Sequence, residues 1–198
     1  MEYRAAEEST REDDWLWLAR AAEGDQIAFA RLVERHQDRV VGLCQRLLGN
    51  REGALDAAQE VFLRLYRKAA ALERRGQLYT WLYRVATNYC LNRLRRRKIV
   101  RFLPFETSAP EGSDVRDWQP VDLGPGPERE LADRQRWQRT RSAIAALPLN
   151  QRAVLILARF EGLAYREIAQ ILEITEGAVE SRLFRAMRNL QKAQEGGT

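Results

Sequence analysis

Three side chains have the chemistry for metal binding or nucleophilic catalysis: Cys44, Cys90 and the single histidine, His36. A structural zinc site takes about four such ligands, and these three are scattered along the chain. Both cysteines sit in stretches with helical apolar spacing and read as small core residues in a reducing compartment. His36 stands beside Glu34, Arg35 and Asp38, where a solvated helix face accounts for it as well as a Cys–His pair would. No GxxxxGKS loop, HExxH helix or nucleophile elbow occurs. The expectation is a protein with no cofactor, no metal and no catalytic centre.

A second group suits phosphate. Arg93, Arg95, Arg96, Arg97, Lys98 and Arg101 crowd into nine positions and make a strong local positive field. Just before them, Tyr79, Trp81, Tyr83, Arg84, Asn88, Tyr89 and Asn92 interleave aromatics, amides and arginine. Aromatic faces stack on unpaired bases while arginines follow the backbone, a composition suited to single-stranded or opened DNA. A plainer reading fits too: Trp81, Val85 and Tyr89, at steps of four, face a core, and the arginines solubilise a helix end. Only Lys68, Lys98 and Lys192 among the 33 basic residues are lysine. Arginine's planar fork favours phosphate and base edges, and a GC-rich genome produces the same bias.

A third group lies near the C-terminus. Ile168, Ala169, Ile171 and Leu172 give Tyr165–Leu172 an apolar face, and Glu173-Ile174-Thr175 interrupts it. Helical spacing resumes over Glu176–Leu190, with Val179, Leu183, Met187 and Leu190 inward and Thr175 as N-cap. Two short helices joined by a three-residue turn form the unit whose second helix enters the major groove of DNA. On its outward face Arg185 can fork onto guanine, Ser181 can bond a base edge or phosphate, and Phe184 can touch a thymine methyl. The same pattern fits a helical hairpin in an adaptor protein. A fourth group, Asp56, Gln59, Glu60 and Arg64, shares the helix face opposite Leu55, Phe62 and Leu65. It forms either an idle solvated surface or a dock for a protein partner.

The elements that must position these groups are helices. No segment alternates as a strand does, whereas Phe29, Leu32, Val33, Val40, Leu43, Cys44 and Leu47 recur at helical steps up to Gly49-Asn50. Similar stripes run from Leu55 to Ala69 and from Leu78 to Leu94. Five of the six prolines fall between Pro104 and Pro127, which reads as a linker. Residues 1–100 carry 19 basic and 14 acidic side chains, residues 101–128 carry 2 and 6, and residues 129–198 carry 12 and 8. An acidic bridge thus joins two basic blocks. The fold class is all-α: a helical domain over 1–100, a linker over 101–128 and a helix-turn-helix domain over 129–198. With 198 residues, 45% of them apolar, there is material for two small cores. The acidic N-terminus is the opposite of an export signal, and no apolar run approaches the roughly 20 residues of a membrane span. The expected location is the cytoplasm.

Four strings, in order, carry a family resemblance: AAEGDQIAFARLVERH, DAAQEVFLRLYR, YTWLYRVATNYCLNRLRRRK and ALPLNQRAVLILARFEGLAYREIAQILEITEGAVESRLFRAMRNL. The chain resembles the extracytoplasmic-function (ECF) sigma factors of bacterial RNA polymerase nearly end to end. The resemblance implies a non-catalytic specificity factor that binds core polymerase, at its clamp helices and flap region, and promoter DNA. By similarity, Asp56, Gln59, Glu60 and Phe62 dock on the clamp helices. Trp81, Arg84, Asn88 and Arg95, Arg96 and Arg97 melt and read the −10 element. Thr175, Glu180, Ser181, Arg182, Phe184 and Arg185 lie where the −35 element is read. The linker is expected to thread the polymerase, its negative charge suiting a basic channel. The resemblance also leaves room for an anti-sigma protein as a further partner, which Trp15, Trp17 or Trp118 could serve, although core packing is the preferred reading of Trp15 and Trp17.

A relaxed 28-residue linker spans roughly 30 Å, so the free chain is expected to be mobile between its domains and weak on promoters without core; a monomer is expected as well. Three departures stand out. Glu173 occupies the turn where the family usually has glycine, and a left-handed residue there costs roughly 1–2 kcal/mol, which predicts a different turn. Glu180 precedes Ser181 where Lys or Arg is common; a carboxylate repels phosphate yet can accept from cytosine N4, which predicts an altered −35 preference. Arg74-Arg75-Gly76 replaces an aromatic residue before Arg-Gly. The competing reading from outside this family is a stand-alone helix-turn-helix regulator, and a third is a helical adaptor that binds no DNA.

Overall fold

Asp25 opens the longest early helix by accepting hydrogen bonds from the backbone N–H groups of Ile27 (2.9 Å) and Ala28 (3.0 Å). These are two of the donors that a helix start leaves unpaired. The computed structural model describes residues 13–74, 76–102 and 139–195, and every regular element among them is helical. Helix α1 covers residues 13–22 and α2 runs Gln26–Leu48. Gly49 closes α2 with φ 83°, its N–H donating to the Gln45 carbonyl at 2.8 Å. Asn50 then caps α3 (Arg51–Lys68), its Oδ1 accepting from Gly53 N at 2.6 Å. A Cβ at Gly53 would lie 2.6 Å from that same oxygen, so any larger residue there would make the Asn50 side chain shift. A 3-10 turn over Ala69–Ala71 ends α3, and α4 spans Leu78–Phe102.

The N-terminal lobe is built from the expected stripes. Leu32, Val40, Leu43, Cys44 and Leu47 of α2 pack against Ala54, Ala57, Val61 and Leu65 of α3 and Leu78, Leu82, Ala86 and Cys90 of α4. His36 departs from its expected solvated place. It is buried, with Nε2 2.9 Å from Oδ2 of Asp14, itself buried on α1. Arg35 donates to the other Asp14 oxygen at 3.0 Å and lies 4.0 Å from the Trp17 ring centroid. Trp15 is core and donates from Nε1 to the Gly76 carbonyl at 3.0 Å. α1 is therefore tied down by polar contacts that no apolar period announces. Leu55, placed with the inward face by sequence, is 48% exposed, because the buried positions of α3 fall at 53, 54, 57, 58, 61, 62 and 65.

The C-terminal lobe contains α5 (residues 139–146), α6 (Leu149–Arg159), α7 (Tyr165–Leu172) and α8 (Glu176–Glu195). Five consecutive side chains of α6, Ala153–Leu157, are buried because α7, α8 and α2 enclose it. Val179, Leu183 and Ala186 of α8 complete this core, whereas Met187, expected inward, is 44% exposed. α4 extends two residues beyond the expected domain end at 100. The remainder of the proline-rich segment and Trp118 lie outside the described residues.

The lobes touch, contrary to the mobility expected of a relaxed linker. α7 packs on α4 and α6 on α2. Arg141 and Arg152 of the C-terminal lobe donate to the Gly49 (2.8 Å) and Leu47 (3.2 Å) carbonyls at the end of α2. Those carbonyls lack partners within the helix and carry its partial negative charge, so arginine suits them. Buried apolar side chains of the two lobes also join in one continuous cluster, and sequence pattern missed this interface because its residues lie far apart in the chain.

Candidate nucleic-acid interface

The turn between α7 and α8 sets the angle of the exposed helix. Glu173 adopts φ 54° and ψ 48°, so the left-handed turn is present and the expectation of a different one is wrong. Ile174 N donates to the Ala169 carbonyl at 3.0 Å, closing the end of α7. Thr175 Oγ1 then accepts from Ala178 N at 3.2 Å, the N-cap expected from sequence. Glu173 lies 3.5 Å from Arg84, and both side chains are substantially exposed. Such a pair is worth at most about 1 kcal/mol, less than the roughly 1–2 kcal/mol of a non-glycine left-handed residue. Glu173→Gly is expected to raise the stability of the chain by about 1 kcal/mol, read by thermal denaturation; a decrease would mean the Arg84 pair dominates.

On α8 the structure brings Glu180, Ser181, Phe184 and Arg185 to one solvent face, with Arg182 half-buried at its edge. Phe184 is 68% exposed. Thr175 stands at the helix start, so all six residues assigned to this face belong to one end of one helix and its cap.

The α4 group divides. Asn88, Arg95 and Arg96 are exposed, and Arg95 donates to Asn92 Oδ1 at 2.7 Å. Arg97 is also exposed, and Trp81 is half-buried against the core. Arg84, Asn88 and Arg95 follow one stripe at helical spacing, but the Arg84 guanidinium donates to the Gln170 carbonyl of α7 at 2.9 Å. Tyr79 donates from its hydroxyl to Glu167, whose other oxygen accepts from Ala164 N at the start of α7 (2.9 Å). Tyr83 donates to Glu161 at 2.9 Å, and Arg46 reaches the second Glu161 oxygen at 2.8 Å. Burial lifts the Glu161 carboxyl above the ordinary glutamate range, against the pull of Arg46, Tyr83 and Arg39. Burial and that neighbouring carboxylate likewise push the Tyr83 hydroxyl up.

On α3, Asp56 and Gln59 are exposed, Asp56 lying 3.6 Å from Arg93. Glu60 is half-buried and accepts from Arg64 Nε at 2.7 Å. Phe62 is corrected: it lies in the core, 8% exposed, and supports this face from beneath instead of meeting a partner. Sequence reasoning missed Leu55 and Leu63, exposed apolar residues that share a line with Gln59 at steps of four. The signal was available, since neither falls on the stripe of alanines and Val61 that packs inward. The two cysteines are buried and free, and Cys44 together with burial pushes the Cys90 thiol up, opposing the thiolate that nucleophilic chemistry needs. Among the described residues no group of three or more His, Cys, Asp or Glu is placed to hold a metal, and no helix is long and apolar enough to cross a membrane.

A helix-turn-helix with a solvent-facing second helix, joined to a lobe whose longest helix presents asparagine and arginine, defines a two-lobed helical DNA-binding protein. Known proteins narrow this class. The sigma-70 region 2 family model matches residues 32–99, and the sigma-70 region 4 model matches residues 137–190. The chain is 34% identical over 175 residues to the ECF RNA polymerase sigma factor SigW of Bacillus subtilis strain 168, covering 88% of this chain and 93% of that one. It is also 34% identical over 186 residues to the RNA polymerase sigma-H factor of Pseudomonas aeruginosa, covering 93% and 95%. Among solved structures its fold is similar to CnrH in complex with the cytosolic domain of CnrY (TM-score 0.65, 22% identity, 94% of this chain and 99% of that). It is similar as well to the sigma factor RpoE in complex with the anti-sigma factor NepR from Bartonella quintana (TM-score 0.62, 20% identity, 84% and 96%). The chain belongs to the ECF group of the sigma-70 family and is an RNA polymerase sigma factor. The stand-alone regulator is not favoured.

Proposed function

We propose that this sigma factor docks on bacterial core polymerase through the α3 face of Asp56, Gln59 and Glu60, flanked by Leu55 and Leu63. In this reading Trp81, Arg84, Asn88 and Arg95–Arg97 melt and hold the −10 strand. Thr175, Glu180, Ser181, Arg182, Phe184 and Arg185 read the −35 duplex, with the C-terminal lobe also meeting the flap region. The factor adds no catalysis of its own and works in the cytoplasm. An anti-sigma protein is a further partner on the example of the RpoE–NepR complex. The residue sets assigned to 1–100 and 129–198 then act as separate DNA-reading domains joined by the acidic segment at 101–128.

The observation that carries the reading is the exposed Glu180–Arg185 face on a capped helix-turn-helix, in a chain that also carries the Asn88–Arg97 surface. Run-off transcription with purified core polymerase on a genomic promoter library tests it. A set of transcripts starting downstream of a shared two-part sequence is expected; no specific transcript would end the proposal. In the same assay Arg185→Ala should cost about 1–3 kcal/mol at one −35 base pair and relax selectivity there. A uniform loss across all promoters would instead assign Arg185 to phosphate.

A further inference from the structure

A carboxylate in the middle of a DNA-reading face needs a reason, because every phosphate it approaches repels it. Glu180 is such a group, exposed beside Ser181, Phe184 and Arg185. Its direction is fixed, since Val179 and Leu183 are buried and Thr175 caps the helix start. Among the described residues no hydrogen bond or ion pair holds it. Its helical neighbours, three and four positions away, are Glu176, Gly177, Leu183 and Phe184, and none is a cation. The helix dipole accounts for Glu176, in the first turn of α8, but fades before the second turn, where Glu180 lies.

Gly177 adds a second observation. It lies one turn before Glu180, its φ is not left-handed, and a Cβ built on it would meet nothing within 4 Å. Neither backbone nor packing asks for glycine there, although glycine weakens a helix relative to alanine. A bare helix surface beside an exposed carboxylate leaves room for another molecule to come close.

We propose that Glu180 fixes one base of the −35 element, a cytosine, and that Gly177 stays bare so that the duplex can reach it. The proposal rests on reading α8 as the −35 helix. In the major groove cytosine offers its N4 amino group, which donates to the carboxylate. Guanine, with N7 and O6, and thymine, with O4, present acceptors that repel it. Adenine donates from N6 but sets the N7 acceptor beside that donor. Bringing a carboxylate among phosphates is unfavourable on every sequence, and only cytosine offsets it in full.

The test is run-off transcription with core polymerase and the full chain, on a promoter library randomised through its −35 element. Wild type is expected to favour cytosine at one position by about ten-fold or more. Glu180→Gln, whose amide matches adenine N6 and N7, should move that preference to adenine, and Glu180→Arg should move it to guanine. Bases read by other side chains should stay as they are. Glu176→Gln removes the same charge one turn earlier and should change no base preference. Gly177→Leu should melt no lower than wild type yet lower transcription from the cytosine-bearing templates. Glu180 is exposed, so its variants leave the core intact, and a thermal melt of each protein checks this.

If Glu180→Gln raised output evenly on all templates with every base preference unchanged, Glu180 would merely repel phosphate and the proposal would be overturned. A shift of preference in Glu176→Gln would overturn it too, and full activity in Gly177→Leu would overturn the part given to the glycine. Specific transcripts from wild type with no cytosine under the control of Glu180 would sink this proposal and leave the sigma function standing. The absence of any specific transcript would end both, so the two failures are distinguishable.

Discussion

Replacing Phe62 with alanine should lower the unfolding free energy of the chain by about 3–5 kcal/mol. The ring is 8% exposed and packs where α3 meets the rest of the N-terminal core. Its removal costs both the transfer of an aromatic side chain from water and the contacts around the space it leaves. Two neighbours on the same helix supply the contrast. Asp56 and Gln59 are exposed, and their alanine variants should stay within about 0.5 kcal/mol of the parent. Equilibrium urea denaturation measures all three, and a pull-down on core polymerase measures docking by the fraction that is folded. Asp56→Ala and Gln59→Ala should weaken docking while leaving stability alone, and Phe62→Ala should do the reverse. A stable Phe62→Ala protein that no longer binds core would return this residue to the docking face.

Asp14→Ala should cost about 3 kcal/mol, because it strips a buried partner from two side chains at once. One oxygen of Asp14 meets the buried His36 ring at 2.9 Å, and the other accepts from Arg35 at 3.0 Å. With the carboxylate gone, His36 is left enclosed without its bond, and α1 loses its tie to α2. Asp13 is the natural control. It sits 3.5 Å from Arg35 and is 45% exposed, so Asp13→Ala should cost no more than about 1 kcal/mol. The difference between the two midpoints in chemical denaturation is the measurement. Equal effects would mean that α1 is held by helix-start electrostatics, which both aspartates share, and not by the buried pair.

The Phe62 and His36 assignments show where reading along a chain succeeds and where it stops. Helical period located α2, α3, α4, α7 and α8, because burying an apolar stripe at steps of three and four is a one-dimensional signal. Gly49, Asn50 and Thr175 marked helix ends for the same reason, since a cap is made by residues a few positions apart. The faces of α3 and α8 were placed to within a turn. Errors came at their margins, where Leu55 and Met187 look outward, whereas Phe62 looks inward as its period placed it and only the family resemblance had set it on the docking face. A stripe about 100° wide leaves its borders undefined until the neighbouring helix arrives.

Amino-acid order alone was enough for the all-helical class, the two basic blocks, the capped helix-turn-helix and the arginine-rich helix, since each depends on residues near one another in the chain. Tertiary structure alone decided that His36 is buried on Asp14, that Glu173 accepts a left-handed turn, and that Glu161 is gripped by Arg46 and Tyr83. The reason is physical. A charged side chain looks the same in sequence whether water or a distant partner will satisfy it, and 115 positions separate Arg46 from Glu161. Only folding brings such groups within reach and reveals which charges are paired.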